Sequence, residues 1–543
     1  MLTDKIKYCE RLGKRAQDKM ELWKPHWERI AFLCDPRYYG KIVGKTAVAQ
    51  NYIGRFKYAD TLMRGCQRWA NAVAGLTTPE NEKWQKFAFT GETDYEVSAW
   101  LDFLTDKVFA RRYAMGANFS AANYESLKNL CIYGFSVMGI FSENGGLKYK
   151  TYRLTDWAID QNSSDEIDTF YRLGLEMDDS DLYLNFGTAA KPLLKYDDGK
   201  TKHNVNTFLG LNHYYIEGSP FKNNKKWVMM SWCADTLLEE KYFDLCPLVC
   251  QRNEVSPNQN DPYCISPAMY ASSAQQVLND MVRMNLKAAN GKVSPVYLGY
   301  KDNIDLSRFR PDSYVPNALN ADGKPYVQKL DLAGEIPFSL EMIQFYQQEI
   351  EKALNLDLFV LFANNDKQMT ATEISQIARE KAVLQNSFIS KRQSQFLEKE
   401  AELNVYYGLK DGAFGEVPQQ IWDMLSKKGL EMTIQYDNEI SRRMRMSELE
   451  ANNILIQTAG ALANIGQQQV IDRLNGDEML KATREIMGAK TTALKSDEQV
   501  EELAKAKQQQ QNAEARAQMA AEAAKLQLES AKAGMAGMGG DLL

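Results

Sequence analysis

SPAMYASSAQQVLNDMVRMNLKAAN, residues 266–290, and LEMIQFYQQEIEKALNLD, residues 340–357, are the two stretches on which the reading of this chain turns. Ser266-Pro267 opens a helix, and Ala271, Ala274, Leu278, Met281 and Val282 recur at helical spacing on one face over 268–290. In the second stretch Ile343, Tyr346, Ile350 and Leu354 align in the same way. Between them lies a Pro-rich, tyrosine-bearing segment, 291–338. Two long helices bracketing a small excursion form a helical hairpin with the excursion at its far end.

Upstream, residues 2–34 read as a helix with Ile6, Cys9, Leu12, Trp23, Trp27 and Ile30 on one stripe, a kink expected at Pro25, and a stop at Asp35-Pro36. A second amphipathic helix is predicted from Tyr58 to Leu76, carried by Leu62, Cys66, Trp69 and Val73, and further helices over 93–114 and 120–133. From 134 to 252 the period becomes strand-like: VMGIF, LKYKTY, TFYRLGLEM, NTFLGLNHYYIEG and KWVMMSW are separated by Gly, Asn, Asp and Pro clusters. SPFKNNKK, 219–226, reads as a long hairpin turn. Downstream of the hairpin, Thr370-Ala-Thr-Glu373 is a capping box that should start a helix running to about Tyr406. Residues 441–490 are again helical. Residues 496–534 are an Ala/Gln/Glu/Lys-rich polar helix whose stripe Ala513, Ala517, Ala520, Ala524 and Leu528 suits pairing between copies.

Composition restricts the chemistry. The 543 residues exceed one small core, so two to four substructures are expected. No apolar run approaches membrane-spanning length, and MLTDKIKYCERLGKR lacks the apolar core of a signal peptide, so a cytoplasmically made chain without a membrane partner is expected. The eight cysteines form no C-x-x-C pair and read as buried free thiols; the three histidines are far apart, so no metal site is expected. A net charge of −6 does not suit a protein that clamps phosphates; DNA would be met as a wall or conduit. Gly40-Lys-Ile-Val-Gly44-Lys45-Thr46 is one residue short of a phosphate-binding loop and follows no buried strand, and it reads as a polar loop. No nucleophile elbow, H-E-x-x-H or calcium loop occurs, so no catalytic residues or cofactor are assigned.

Four segments in order resemble the head-to-tail connector, or portal, proteins of T7-like short-tailed bacteriophages. They are Trp69 to Pro79 followed by Trp84; NFSAANYESLKNLCIYGFSVMG, 118–139; PLVCQRN through DPYCISPAMYASSAQQVLNDM, 247–281; and Met369-Thr370-Ala371-Thr372-Glu373. This chain departs from the family pattern at Arg252-Asn253, at Tyr263-Cys-Ile-Ser-Pro267 and at Gln85. The resemblance implies a mainly α chain with a mixed α+β wing domain, in the portal fold of a ring oligomer. By segment it implies an N-terminal wing over 1–265, a first stem helix over 266–290, a clip over 291–338 and a second stem helix over 339–357. A tunnel loop over 358–369, a wing helix and following segment over 370–440, a crown over 441–495 and a C-terminal helical barrel and tail over 496–543 would follow.

The implied function is a channel at one capsid vertex of the virion, a twelve-fold ring through which double-stranded DNA is packaged and ejected. Implied partners are further copies of the chain, the DNA, the major capsid protein, scaffold, terminase and tail adaptor proteins; no cofactor is implied. Glu341, Glu349, Glu351 and Asp357 against Lys352 leave a net −3 on the second stem helix, which suits a channel wall that does not trap phosphates and equally suits an ordinary solvated face. Asn364, Asn365, Asp366 and Lys367 are the expected DNA-nearest groups, unless 358–369 is a plain connection. Phe309, Arg310, Tyr314, Tyr326 and Lys329 offer a docking surface for terminase or tail, unless the clip is a self-contained loop. Another virion structural protein, in the tail or internal core, and a packaging enzyme are the competing readings.

Overall fold

The computed structural model describes residues 2–35, 58–89, 95–195, 201–213, 223–293, 340–356 and 387–419, with shorter stretches that include 296–299, 327–330, 432–436 and 453–461. The chain forms two units: Met1–Gln85, Asp106–Glu416 and Tyr436–Met444 in the first, Lys86–Thr105, Val417–Gln435 and Arg445–Leu543 in the second.

Helix α1 (Leu2–Cys34) runs through Pro25 and buries Ile6, Cys9, Trp27 and Ile30 of the expected stripe, while Leu12 and Trp23 stay half-buried. Helix α2 (Thr61–Thr77) buries Leu62, Cys66, Trp69 and Val73, the residues its spacing singled out. The chain then passes through strand β1 (Gln85–Phe89) and helix α3 (Tyr95–Arg112). Helix α4 (Phe119–Tyr133) is buried on nearly every side and so lies within the core rather than over it. It ends at Gly134 with φ 88°, where an added Cβ would sit 2.5 Å from the Cys264 carbonyl oxygen; only glycine meets both conditions.

Strands β2 (Phe135–Glu143) and β3 (Gly146–Thr151) form a hairpin. Strands β4 (Ala158–Gln161) and β5 (Ile167–Met177) begin a second sheet. Within the stretch read as strands, the structure inserts helix α5 (Asp179–Phe186), whose cap Asp178 accepts from the Asp181 amide at 2.7 Å. Strands β6 (His203–Leu211), β7 (Trp227–Cys233) and β8 (Thr236–Phe243) complete an antiparallel meander, β4-β5-β6-β7-β8. The SPFKNNKK segment falls in the β6–β7 connection, as read. Strand β9 (Leu248–Arg252) joins β2 to make the sheet β3-β2-β9.

That small sheet divides two cores. Phe135 and Val137 of β2 and Leu248 and Cys250 of β9 face one core, with α1, α2, α4 and the larger sheet. Met138, Ile140 and Val249 face the other, with Trp84, Phe119, Phe396 and Tyr407. The alternation is the two-residue period of a strand buried on both faces. In the first core Trp27, Phe135 and Tyr263 form a triangle of rings with centroids 4.9 to 5.2 Å apart, and the Tyr263 hydroxyl accepts from the Ile159 amide at 3.2 Å.

Helix α6 (Pro267–Val293) starts at Ser266, whose hydroxyl donates to the Ile132 carbonyl at 2.7 Å and accepts from the Met269 amide at 3.0 Å. Strands β10 (Val296–Gly299) and β11 (Val327–Leu330) pair antiparallel in the excursion. Helix α7 (Leu340–Ala353) returns and packs on α6; it stops short of 357 because Asn355 takes φ 53°. Residues 387–392 are helical, a π turn occupies Gln393–Leu397, and helix α8 (Glu398–Lys410) follows. The Thr370–Glu373 capping box lies outside the described residues, as does the Gly40–Thr46 loop apart from Ile42, which is buried in the first core.

In the second unit, strand β12 (Met432–Tyr436) pairs with β1, and the Thr433 hydroxyl donates to the Ala88 carbonyl at 3.2 Å. Phe87, Val97, Leu101 and Leu104 are buried there. The expected C-terminal helices are seen in part, at 453–461 and at 499–503 and 505–511. All eight cysteines are free, seven of them buried, and burial pushes the Cys246 and Cys250 thiols up to about 12.

At Gly13 of α1, an added Cβ would lie 2.3 Å from the Tyr171 ring of β5. Gly13→Ala should therefore cost about 1–3 kcal/mol through overpacking, against the roughly 1 kcal/mol that alanine gains in a helix interior. Gly75→Ala in α2, with nothing within 4 Å of its Cβ, should be neutral or stabilising. Denaturant midpoints of both variants check the ordering.

Candidate channel and docking elements

The helical hairpin α6–α7 and the ends of the segment that follows it are the candidate site. Ile350 of α7 and Leu354 just past its end are fully buried, and Ile343 and Tyr346 pack on the same core. The remaining surface is unusually apolar. Tyr270, Val277, Met284 and Leu286 on α6, and Leu340, Met342 and Phe345 on α7, are all at least 41% exposed, the level of a surface made to be covered.

The structure separates the proposed wall carboxylates. Glu341 is exposed in the first turn of α7. Glu349 pairs with Lys352 at 3.1 Å, and Glu351 reaches across to Arg68 of α2 at 2.9 Å. The net −3 read from the helix alone is thus reduced by a cation from another element. Asp357, the tunnel-loop residues Asn364, Asn365, Asp366 and Lys367, and Phe309, Arg310, Tyr314 and Tyr326 lie outside the described residues. Of Lys329 only the backbone is described, paired with Tyr297 in the β10–β11 ribbon.

Three buried arginines tie the helix after this segment to the sheet β3-β2-β9, and their roles were not read from the sequence. Arg112, fully buried at the end of α3, donates to Glu400 of α8, through Nε at 3.1 Å and again through Nη2, and to Gln85 at 2.9 Å. Its guanidinium lies 4.4 Å from the Trp84 ring centroid, and the Tyr149 hydroxyl also donates to Glu400. Burial alone disfavours charged Arg112, but Glu400 outweighs it and holds the pKa above its ordinary value. Burial and Glu400 both push Tyr149 up, so it stays a neutral donor.

Arg392 is also fully buried, and its hydrogen-bond partners among the described residues are neutral: Thr77 at 3.1 Å, Gln251 at 3.2 Å and Asn123 at 2.7 Å. Burial pulls it down to about 9, which still leaves it cationic at neutral pH. Arg252 donates from Nη1 to Gln161 at 2.6 Å, while its backbone amide donates to Gln395 within the π turn at 2.8 Å. Arg112 reads in sequence as an ordinary basic residue in a last helical turn, so its partner 288 positions away had no local signal.

Among the described residues, no group of histidine, cysteine or carboxylate side chains could hold a metal ion, and no helix is long and apolar enough to cross a membrane. His203 is taken up by a buried pairing with Asp179 at 2.6 Å.

Residues 7–494 match the model of the family described as bacteriophage head to tail connecting protein, and the chain belongs to that family. It is similar to the probable portal protein of Bordetella phage BPP-1, 23% identical across 94% of this chain and 92% of the relative. It is also similar to the portal protein of Salmonella phage epsilon15, 24% identical across 96% and 95%. Among solved structures, a chain in the virion of a native gene transfer agent particle is matched at 11% identity and TM-score 0.34, covering 82% of this chain and 94% of that one.

The two fully buried arginines should respond differently to removal. Arg112→Leu strands the Glu400 carboxylate and should cost about 3–5 kcal/mol, largely recovered in Arg112→Leu/Glu400→Leu. Arg392→Leu strands only neutral partners and should cost about 1–3 kcal/mol. Unfolding midpoints of the three variants test the order.

Proposed function

We propose that this chain is the portal protein of a tailed bacteriophage with double-stranded DNA. Copies assemble as a closed ring at one capsid vertex of the virion, and the genome passes through the central channel during packaging and ejection. The observation that carries this reading is the family match, continuous from residue 7 to residue 494, together with portal relatives aligned over more than nine-tenths of their own lengths.

In this reading the wing (1–265, joined by 370–440) forms the periphery, and the stem helices at 266–290 and 339–357 surround the channel. The clip (291–338) docks terminase and then tail proteins through Phe309, Arg310, Tyr314, Tyr326 and Lys329. The crown (441–495) and helical barrel (496–543) lie toward the head. The channel must let DNA slide, so the acidic groups Glu341, Glu349 and Asp357 suit its wall, while Glu351 is taken up by Arg68 of α2. Asn364, Asn365, Asp366 and Lys367 in 358–369 provide polar contacts to the duplex. In this reading the protein works as a conduit and docking platform.

Purified chain examined by native mass measurement and negative-stain microscopy should give rings with a central hole, about 0.74 MDa for twelve copies of 61.8 kDa. Rods or fibres would point to a different virion component. Deleting 363–367 should leave rings intact and lower the yield of DNA-filled particles; an unchanged yield would remove these residues from the DNA path.

A further inference from the structure

We infer that α2 is the bracket that positions the DNA-facing segment, with Gly65, Trp69 and Thr77 as its positioning residues. The inference rests on the reading of 358–369 as the channel loop. The described residues that flank 357–386, Leu354 and Leu356 before it and Phe388 and Arg392 after it, all meet one helix. On the departing side, Leu354 and Leu356 seat against Gly65, where an added Cβ would meet their methyl carbons at 2.6 and 3.6 Å. Beside them Arg68 holds Glu351 at 2.9 Å. On the returning side, Phe388 packs edge-on against Trp69 with ring centroids 5.3 Å apart, and Arg392 donates to the Thr77 hydroxyl at 3.1 Å.

Gly65 and Trp69 are one turn apart, so the two ends of the segment are gripped about 6 Å apart along the helix axis, and Thr77 adds a second grip on the returning strand two turns further on. Helix α2 is itself held by the first stem helix. Its Asp60 side chain accepts from Arg64 at 2.7 Å rather than capping the helix, and the Leu62 amide donates instead to Gln275 of α6 at 3.0 Å. Gln275 returns a bond to the Ala59 carbonyl at 2.8 Å, and Asn279 accepts from the Tyr58 amide at 2.6 Å. One helix therefore joins both stem helices to both ends of the segment. Glycine at 65 is what allows α7 to approach closely enough.

The test is a size series, Gly65→Ala, Gly65→Val and Gly65→Phe, with Gly75→Ala as the control on the same helix. Each variant is read in virus particles for portal copies per particle and for DNA per portal-bearing particle. The expected result is unchanged portal incorporation with DNA content falling as the side chain grows. Leu354→Ala in the Gly65→Val background should restore DNA, whereas a general loss of stability would be worsened by the second cavity. If the Phe variant forms no rings, the Ala and Val variants decide. Full DNA in the ring-forming Gly65 variants would overturn the bracket, whatever the 363–367 deletion does. A DNA defect in this series beside a harmless deletion would overturn only the placing of 363–367 in the DNA path.

Discussion

The Glu400 carboxylate is closed off from water, and its neutralisation decides how the C-terminal part of the first unit closes on the N-terminal part. An ion of that size stripped of its hydration costs several kcal/mol, so α8 can settle over the sheet β3-β2-β9 only with Arg112 already in place. The pair joins residues 288 positions apart, and Tyr149 from β3 and Gln85 complete the shell. A well-packed apolar pair would give comparable stability, but it would tolerate sliding by a turn. The forked guanidinium and its carboxylate do not, which sets the register of α8 and, through the π turn, of everything that emerges from the segment before it.

Arg392 extends the same logic with no carboxylate partner among the described residues. Asn123 and Thr77 on α4 and α2, and Gln251 on β9, supply three acceptors whose dipoles stand in for a carboxylate. Each lies on a different element, so the guanidinium is satisfied only when all three elements and the returning helix are assembled together. A cation buried among neutral acceptors contributes little net stability but penalises every misassembled arrangement heavily.

The local fold was legible wherever periodicity was strong. The apolar stripes of α1, α2 and α7, the Ser266-Pro267 start of α6 and the strand-like runs that form β2, β3, β5, β6 and β7 all reappear in the structure. Helix α5 was missed because its eight residues sit inside a run of strands, and its Asp178 cap resembles the Asp-rich turns on either side. The β10–β11 ribbon was missed because four-residue strands leave almost no periodic signal. The site was less legible than the fold for a physical reason. A helix read alone shows its charges but not what faces them: Glu351 looks like a free wall carboxylate until Arg68 is placed beside it, and Arg392 looks like a solvated residue until three neutral acceptors enclose it.

The uncovered apolar side chains of the hairpin belong to the same economy. On α6, Tyr270, Val277 and Met284 recur every seven residues, and they lie beside the buried row of Ala271 and Leu278 rather than opposite it. One edge of the helix therefore packs within the protomer while the adjacent edge stays open, a stripe too wide for a single partner helix. A protomer that stood alone would gain by making those positions polar. In the ring proposed above, the open edge of one copy would meet its neighbour, and these side chains would supply cohesion that the isolated fold leaves unused. The charged positions Glu341, Glu349 and Lys352 are then left for the surface that no copy covers, and in a ring that surface includes the channel.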